Sequence, residues 1–275
     1  MQKMKVKSFT RWWKWTLRNY FILIFIGCIG FVGIVSVYKL FISKPTYVYV
    51  RVKMGQGLWW ASTQKPSMWF VQAIQHVKEE KDLTGKPVVV LQKVVYYPWY
   101  GGSQYDIYVN AKLRVSKVGK AGKYNFKRST IGVGTPIDFE FDTVQFSGTI
   151  IQLSDKPISE VYVEKTITLT KKGAFPWEYE AIQKGATVSN GETNIFTVLD
   201  KQATDTYSIS GDQFGNYLST NNESKKYITV KVKIKGKMEG DQFVFAEEQL
   251  ISPGRGFSLS TSSFVFNDFM IAGIE

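Results

Sequence analysis

Residues 227–235 read YITVKVKIK, placing Ile228, Val230, Val232 and Ile234 at every second position with Thr or Lys between them. Successive side chains on a strand point to opposite faces, so this spacing specifies a half-buried β-strand. The pattern recurs in 46–53 (TYVYVRVK), where Val48, Val50 and Val52 oppose Tyr49, Arg51 and Lys53. It recurs again in 107–115 (IYVNAKLRV), through Ile107, Val109, Ala111, Leu113 and Val115. Helical spacing is confined to 67–80, where Met68, Val71, Ile74 and Val77 line one side of a short helix. The expected fold class is mainly β.

The strands fall into two sets. Trp69, Ala73, Ile74, Gln75, Val90, Leu91 and Lys93 recur 108 positions later as Trp177, Ala181, Ile182, Gln183, Val198, Leu199 and Lys201. Ile131, Gly134, Phe146 and Ile151 recur 120 positions later as Ile251, Gly254, Phe266 and Ile271, and the opening strands align Lys53 with Lys172. A chance recurrence of hydrophobic spacing would not carry Trp, Gln and Lys identities with it, so the chain reads as an internal duplication. We expect two tandem related domains, barrel- or sandwich-like, over 46–155 and 164–275, joined by 154–160 (SDKPISE). The change of offset requires an insertion in the second copy. It falls near 207–224 (YSISGDQFGNYLSTNNES), whose polar, Gly/Asn/Ser-rich composition predicts an exposed loop.

The 275 residues carry 35 Lys or Arg and 23 Asp or Glu, a formal charge of +12. Residues 1–44 hold eight of the basic residues and no acid, so the remainder carries 27 basic against 23 acidic side chains. The excess therefore surrounds the uncharged run 20–38 (YFILIFIGCIGFVGIVSVY), which as a helix rises about 28 Å, one hydrocarbon core. We expect a basic cytoplasmic tail over 1–19 and a transmembrane helix over 20–42. Trp12, Trp13 and Trp15 would sit at the near interface and Tyr38 at the far one. Lys3, Lys5, Lys7, Arg11, Lys14 and Arg18 outnumber Lys39 and Lys44, which keeps the N-terminus inside and the bulk of the chain outside the cytoplasm. No small-x-small cleavage site stands between Val35 and Pro45, and Phe25 ill suits a lipoprotein signal ending at Cys28, read as a small hydrophobe.

After this span come a strand, an aromatic-to-Ala-Ile turn, and a strand ending in Lys-Val. Tyr-Asp-Ile-Tyr-Val (105–109), Gly-Val-Gly (132–134) and Ser-Gly-Thr-Ile (147–150) follow. This order resembles an uncharacterised bacterial family of single-span membrane proteins with an extracytoplasmic β domain. The second half departs from it: Tyr-Ile-Thr-Val (227–230) lacks the Asp and Ser-Pro-Gly (252–254) replaces Gly-Val-Gly. The resemblance implies a β fold and an envelope location, in the bacterial cytoplasmic membrane, and carries no activity and no site residues.

Chemistry is sparse. One Cys and one His leave no disulfide framework and no Cys/His zinc site, and neither cofactor nor metal is expected. His76 beside Lys78, Glu79 and Glu80 reads as a solvated turn residue. Asp138, Glu140 and Asp142 share a strand face, but their copies are Ser258, Ser260 and Ser262, so they read as a polar face. A hydrolase using Asp138/Glu140 or Asp205/Asp212 is the outlying reading. Gly132-Val133-Gly134 lacks the Lys-Ser/Thr of a phosphate loop. The lysines at 226–237 lie on a strand outside the cytoplasm, and nucleic acid is not expected. Aromatic residues stand out. Trp69 and Trp177 recur and are expected in the core. Adjacent Trp59 and Trp60 cannot both face one core, and Pro98 places Trp99 and Tyr100 in a loop after Tyr97. Trp59, Trp60, Tyr97, Trp99 and Tyr100 are thus the interaction candidates. The expected function is non-enzymatic: a structural or adaptor subunit of an envelope complex, with protein partners or a second copy. The alternative is a glycan- or cell-wall-binding module stacking sugars on the same rings.

Overall fold

The computed structural model describes residues 20–42, 45–54, 65–99, 101–119, 123–211, 214–215 and 217–275, and excludes the side chains at 23, 37, 39–42, 207–211 and 217–223. The chain divides into two units at Pro45/Thr46. In the first, α1 (Tyr20–Ile42) is a 23-residue helix without an acid in its first turn. Its described side chains are apolar around the circumference and exposed, Phe21, Phe25, Phe31 and Ile34 among them. Among the described residues no helix is long and apolar enough to cross a membrane. The transmembrane helix expected over 20–42 therefore finds no support among the described residues, which leave out several side chains of α1.

The second unit is built twice over. The first half runs β1 (Thr46–Met54), α2 (Met68–His76), β2 (Glu79–Lys81), β3 (Pro87–Pro98), β4 (Tyr105–Val118), β5 (Lys123–Phe126), β6 (Ser129–Ile131), β7 (Pro136–Glu140) and β8 (Gln145–Ser154). The second runs β9 (Tyr162–Ala174), α3 (Pro176–Ala181), β10 (Thr187–Ser189), β11 (Asn194–Gly211), β12 (Tyr217–Glu239), β13 (Gln242–Phe245), β14 (Gln249–Ile251), β15 (Gly256–Ser260) and β16 (Val265–Ile274). Each half forms its own curled, barrel-like antiparallel sheet of eight strands. The orders β2-β3-β4-β1-β8-β7 and β10-β11-β12-β9-β16-β15 are the same path.

The alternating apolar positions fill the two cores. Val48, Val50 and Val52 of β1 meet Ile107, Val109, Ala111 and Leu113 of β4, over Val71 and Ile74 of α2. Ile167 and Leu169 of β9 meet Ile228, Val230, Val232 and Ile234 of β12. Edge strands are blunted by side chains. The Glu80 carboxylate of β2 accepts a hydrogen bond from the Glu140 backbone N–H of β7 at 3.1 Å, closing the first sheet on itself. In the second half the Gln249 amide, in its better-bonded orientation, pairs with both backbone groups of Ser258 on β15. Close packing also selects Gly148, where a Cβ would lie 2.5 Å from the Lys53 carbonyl oxygen.

The shared bulges refine the alignment of the copies. β8 shifts register opposite Arg51/Val52, and β16 shifts between Ile271 and Gly273, opposite Leu169 and Thr168. Arg51 therefore corresponds to Thr168 and Lys53 to Thr170, not to Lys172, while Ile271 takes the place of Ile150, not of Ile151. The loop expected at 207–224 is instead largely strand. Thr206–Gly211 pairs with Tyr217–Asn222, and Gly215, at φ 83, sits in the turn between them. Ser, Thr and Asn hide this hairpin because its sequence shows no apolar alternation.

Candidate functional sites

The outer face of the first sheet does not face water. Opposite Val50 and Val52 on β1 are Arg51 and Lys53, only 2% and 8% exposed. Opposite Ile107 and Val109 on β4 are Tyr108 and Asn110, also buried. Val95, Tyr97 and Tyr108 belong to the apolar core of the second half, so the two halves share one interior. The covering element is the β13–β14 turn. Its first-half counterpart, Lys127–Arg128, is a two-residue turn with both residues at positive φ, 45° and 73°. The second-half turn, Ala246–Glu247–Glu248, is one residue longer, begins with φ 50° and 72°, and carries two acids. Non-glycine residues held there cost about 1–3 kcal/mol each, so the surroundings must hold them.

They do so through a clasp of charges and phenols. Glu247 lies 2.8 Å from Arg51 Nη2 and 2.5 Å from Lys237 Nζ, and accepts a hydrogen bond from the Tyr97 hydroxyl at 2.8 Å. Glu248 pairs with Lys53 and accepts a hydrogen bond from the Tyr108 hydroxyl at 3.0 Å. Glu160, in the connector, is held by both Arg51 and Lys237 and by the Tyr162 hydroxyl at 2.9 Å. Burial opposes ionisation of Glu160, but the hydrogen bonds from Lys237 and Arg51 outweigh it and bring its pKa down to about 2. Burial works against Arg51 too, yet Glu247 and Glu160 raise its pKa. Burial, then Glu247, pushes the Tyr97 phenol far up, so it donates and does not ionise. The Arg51 guanidinium is not fully satisfied: Nε and Nη2 make no aligned hydrogen bond, and Nη2 contributes only its charge contact.

Smaller contacts complete the junction. The Tyr96 backbone N–H donates to the Asn190 carbonyl at 3.1 Å. Gly191, at φ 95, lies under the Tyr96 ring, where a Cβ would come within 2.6 Å. Ser260 Oγ donates to the Trp99 carbonyl at 3.3 Å. The network thus consumes its charged groups in holding the halves together.

The accessible aromatic surface lies elsewhere. Trp69 and Trp177, expected in the core, are 69% and 60% exposed. The short helices α2 and α3 bury Val71 with Ile74, or Glu178, and Trp69, two positions before Val71, and Trp177, one before Glu178, are turned away from those sides. In the first half Trp69 is joined by Met68 and Trp99, both exposed. Backbone pairing brings them together: Tyr105 N–H donates to the Pro66 carbonyl, Ser67 bridges Gln104, and Trp99 N–H donates to the Gln104 carbonyl. Lys65 Nζ stands 3.1 Å over the Trp99 ring and 2.8 Å from both oxygens of Asp106. In the second half Phe175 is exposed beside Trp177, with Lys225 Nζ 3.1 Å over its ring.

Of the candidate aromatics, Trp99 is therefore on the surface. Tyr97 is 4% exposed and faces the inter-half core, because alternation turns it away from Tyr96. Trp59, Trp60, Tyr100, Trp12, Trp13 and Trp15 lie outside the described residues, and Tyr38 is exposed on α1. His76 is exposed at the end of α2, 2.6 Å from the Gln72 carbonyl oxygen. Asp138, Glu140 and Asp142 are exposed, with Phe139 and Phe141 buried between them. Among the described residues no cluster of His, Cys, Asp and Glu could hold a metal ion. No protein-family model, curated protein or solved structure matches this chain.

Proposed function

We propose that this chain is a membrane-anchored, non-enzymatic envelope protein that binds a protein partner through the aromatic rims of its two β halves. The carrying observation is the repeated exposure of Trp69 and Trp177 at corresponding places in a duplicated fold. An indole left in water beside Met68 and Trp99, or beside Phe175, is the composition of a contact centre. The anchor is supported by the uncharged 19 residues 20–38, their basic N-terminal flank, and a helix whose apolar side chains surround it on all sides. Absence of a role in catalysis is supported by the chemistry: the buried acids and bases pair with one another, and the one imidazole is exposed. A protein partner is favoured over a glycan at Trp99, because Lys65, fixed by Asp106, covers one face of that ring.

The test uses tagged full-length protein recovered from its native membranes in mild detergent, with cross-links mapped by mass spectrometry. Trp69→Ala with Trp177→Ala should abolish a partner of constant stoichiometry cross-linked near the rims, with the circular dichroism spectrum unchanged. Unchanged partner recovery rejects the reading. Retention on cell-wall material that depends on the same tryptophans assigns the rims to glycan instead.

A further inference from the structure

The β11–β12 hairpin outgrows its sheet. β12 pairs with β9 only from Lys226 to Lys237, and β11 pairs with β10 only over Asn194–Thr197. Beyond them, Thr206–Gly211 and Tyr217–Asn222 pair only with each other among the described residues, leaving an arm with two open backbone edges. In the first half the same hairpin stops at Pro98 and Tyr105. A lone two-stranded ribbon is marginally stable in water.

The arm lacks the protection given to the other edges of this fold. β7 carries Pro136, Asp138 and Glu140, β2 carries Glu79, Glu80 and Lys81, and β15 is capped by Gln249. Segment 206–222 (TYSISGDQFGNYLSTNN) has no Lys, no Arg, no Pro and a single acid, Asp212, which in sequence falls between the two strands. Lysine, proline and inward charge are the usual defences against edge-to-edge pairing, and their absence leaves a template for another strand.

We propose that the arm is an assembly element that pairs edge to edge with the arm of a second copy, in a two-fold antiparallel ribbon. The charge pattern selects this occupant. In a two-fold antiparallel contact residue i of one strand meets residue j of the other and j meets i, so β7 edges paired about Asp138 or Phe139 would set acid against acid, whereas the uncharged strands of the arm bring no like charges together in any register. The proposal is independent of the aromatic rims and would stand if they bound no partner.

The experiment takes the full chain in detergent micelles, with the protein mass measured by light scattering. The expected mass is twice the 31.4 kDa of one chain. With Cys28→Ser removing the native thiol, Ser208→Cys should form an intermolecular disulfide under mild oxidation. Replacing 207–222 by Asn-Gly, which gives the second half a short hairpin like that of the first, should return the mass to one chain. Should that variant not fold, Thr220→Pro, confined to the arm, should weaken dimerisation roughly tenfold or more. A single-chain mass for the unmodified protein overturns the proposal, as does a dimer that survives both changes, which assigns association to α1 or to the rims.

Discussion

The outer faces of the two sheets have the same topology and opposite fates. Arg51, Lys53, Tyr108 and Asn110 of the first half correspond to Thr168, Thr170, Thr229 and Lys231 of the second, each occupying the same register beside the shared bulges. The first set is buried under an acidic turn; the second is half-exposed threonine and exposed lysine. One strand pattern thus serves two purposes, and the difference lies in what a side chain can reach. Arginine and tyrosine combine a long apolar body with a polar tip, so they can cross a shared core and end on Glu247 or Glu248. Threonine cannot. The second sheet therefore ends the stack, as a polar terminal repeat does in longer arrays.

This contrast can be broken from its strongest point. Arg51→Ala should cost about 3–5 kcal/mol, because Glu160 and Glu247 stay buried without their guanidinium, while Thr168→Ala should stay within about 0.5 kcal/mol. Paired denaturant titrations check both, and equal effects would mean the first face is not a working interface. Acid comes next. Glu160 titrates near 2 in the folded chain against an ordinary 4.5. Its contribution, roughly 3 kcal/mol at most, is complete above pH 4.5 and lost as pH falls towards 2. Stability measured from pH 6 to 2 should fall through that window, and Glu160→Gln should flatten the fall. The smallest effect is expected from Tyr108→Phe, about 1–2 kcal/mol for removing the hydroxyl that bonds Glu248, with Thr229→Val near neutral by comparison.

Alternation in 46–53, 107–115 and 227–235 was sufficient for the strands, and the Trp69/Trp177 recurrence for the repeat. It could not say which polar faces are buried. Arg51 and Lys53 look in sequence just like the solvated lysines of β12, and the acids that cover them lie far along the chain in a turn. The rims were half visible: Trp99 followed from Pro98, but recurrence of Trp69 and Trp177 argued for packing. The structure shows that a duplicated residue can be kept on the surface. One signal was available, since Val71 and Ile74 alone supply the buried side of so short a helix as α2. The hairpin at 206–222 was masked by its composition, though Gly215, which holds its turn at positive φ, is a turn residue by type.

Glu160 belongs to neither sheet. It lies in the connector between Ser154 and Tyr162, and both halves hold it, Arg51 from one side and Lys237 from the other. The connector is therefore both a tether and a ligand. As a tether it keeps the halves at an effective concentration in the millimolar range, so the rest of the interface need only be weak by the standards of separate proteins. As a ligand it is consumed by the docking it promotes: separating the halves strands a carboxylate with two cations and frees the chain around it in one event. Partial opening has little to gain, and the junction should behave as a latch with two settings.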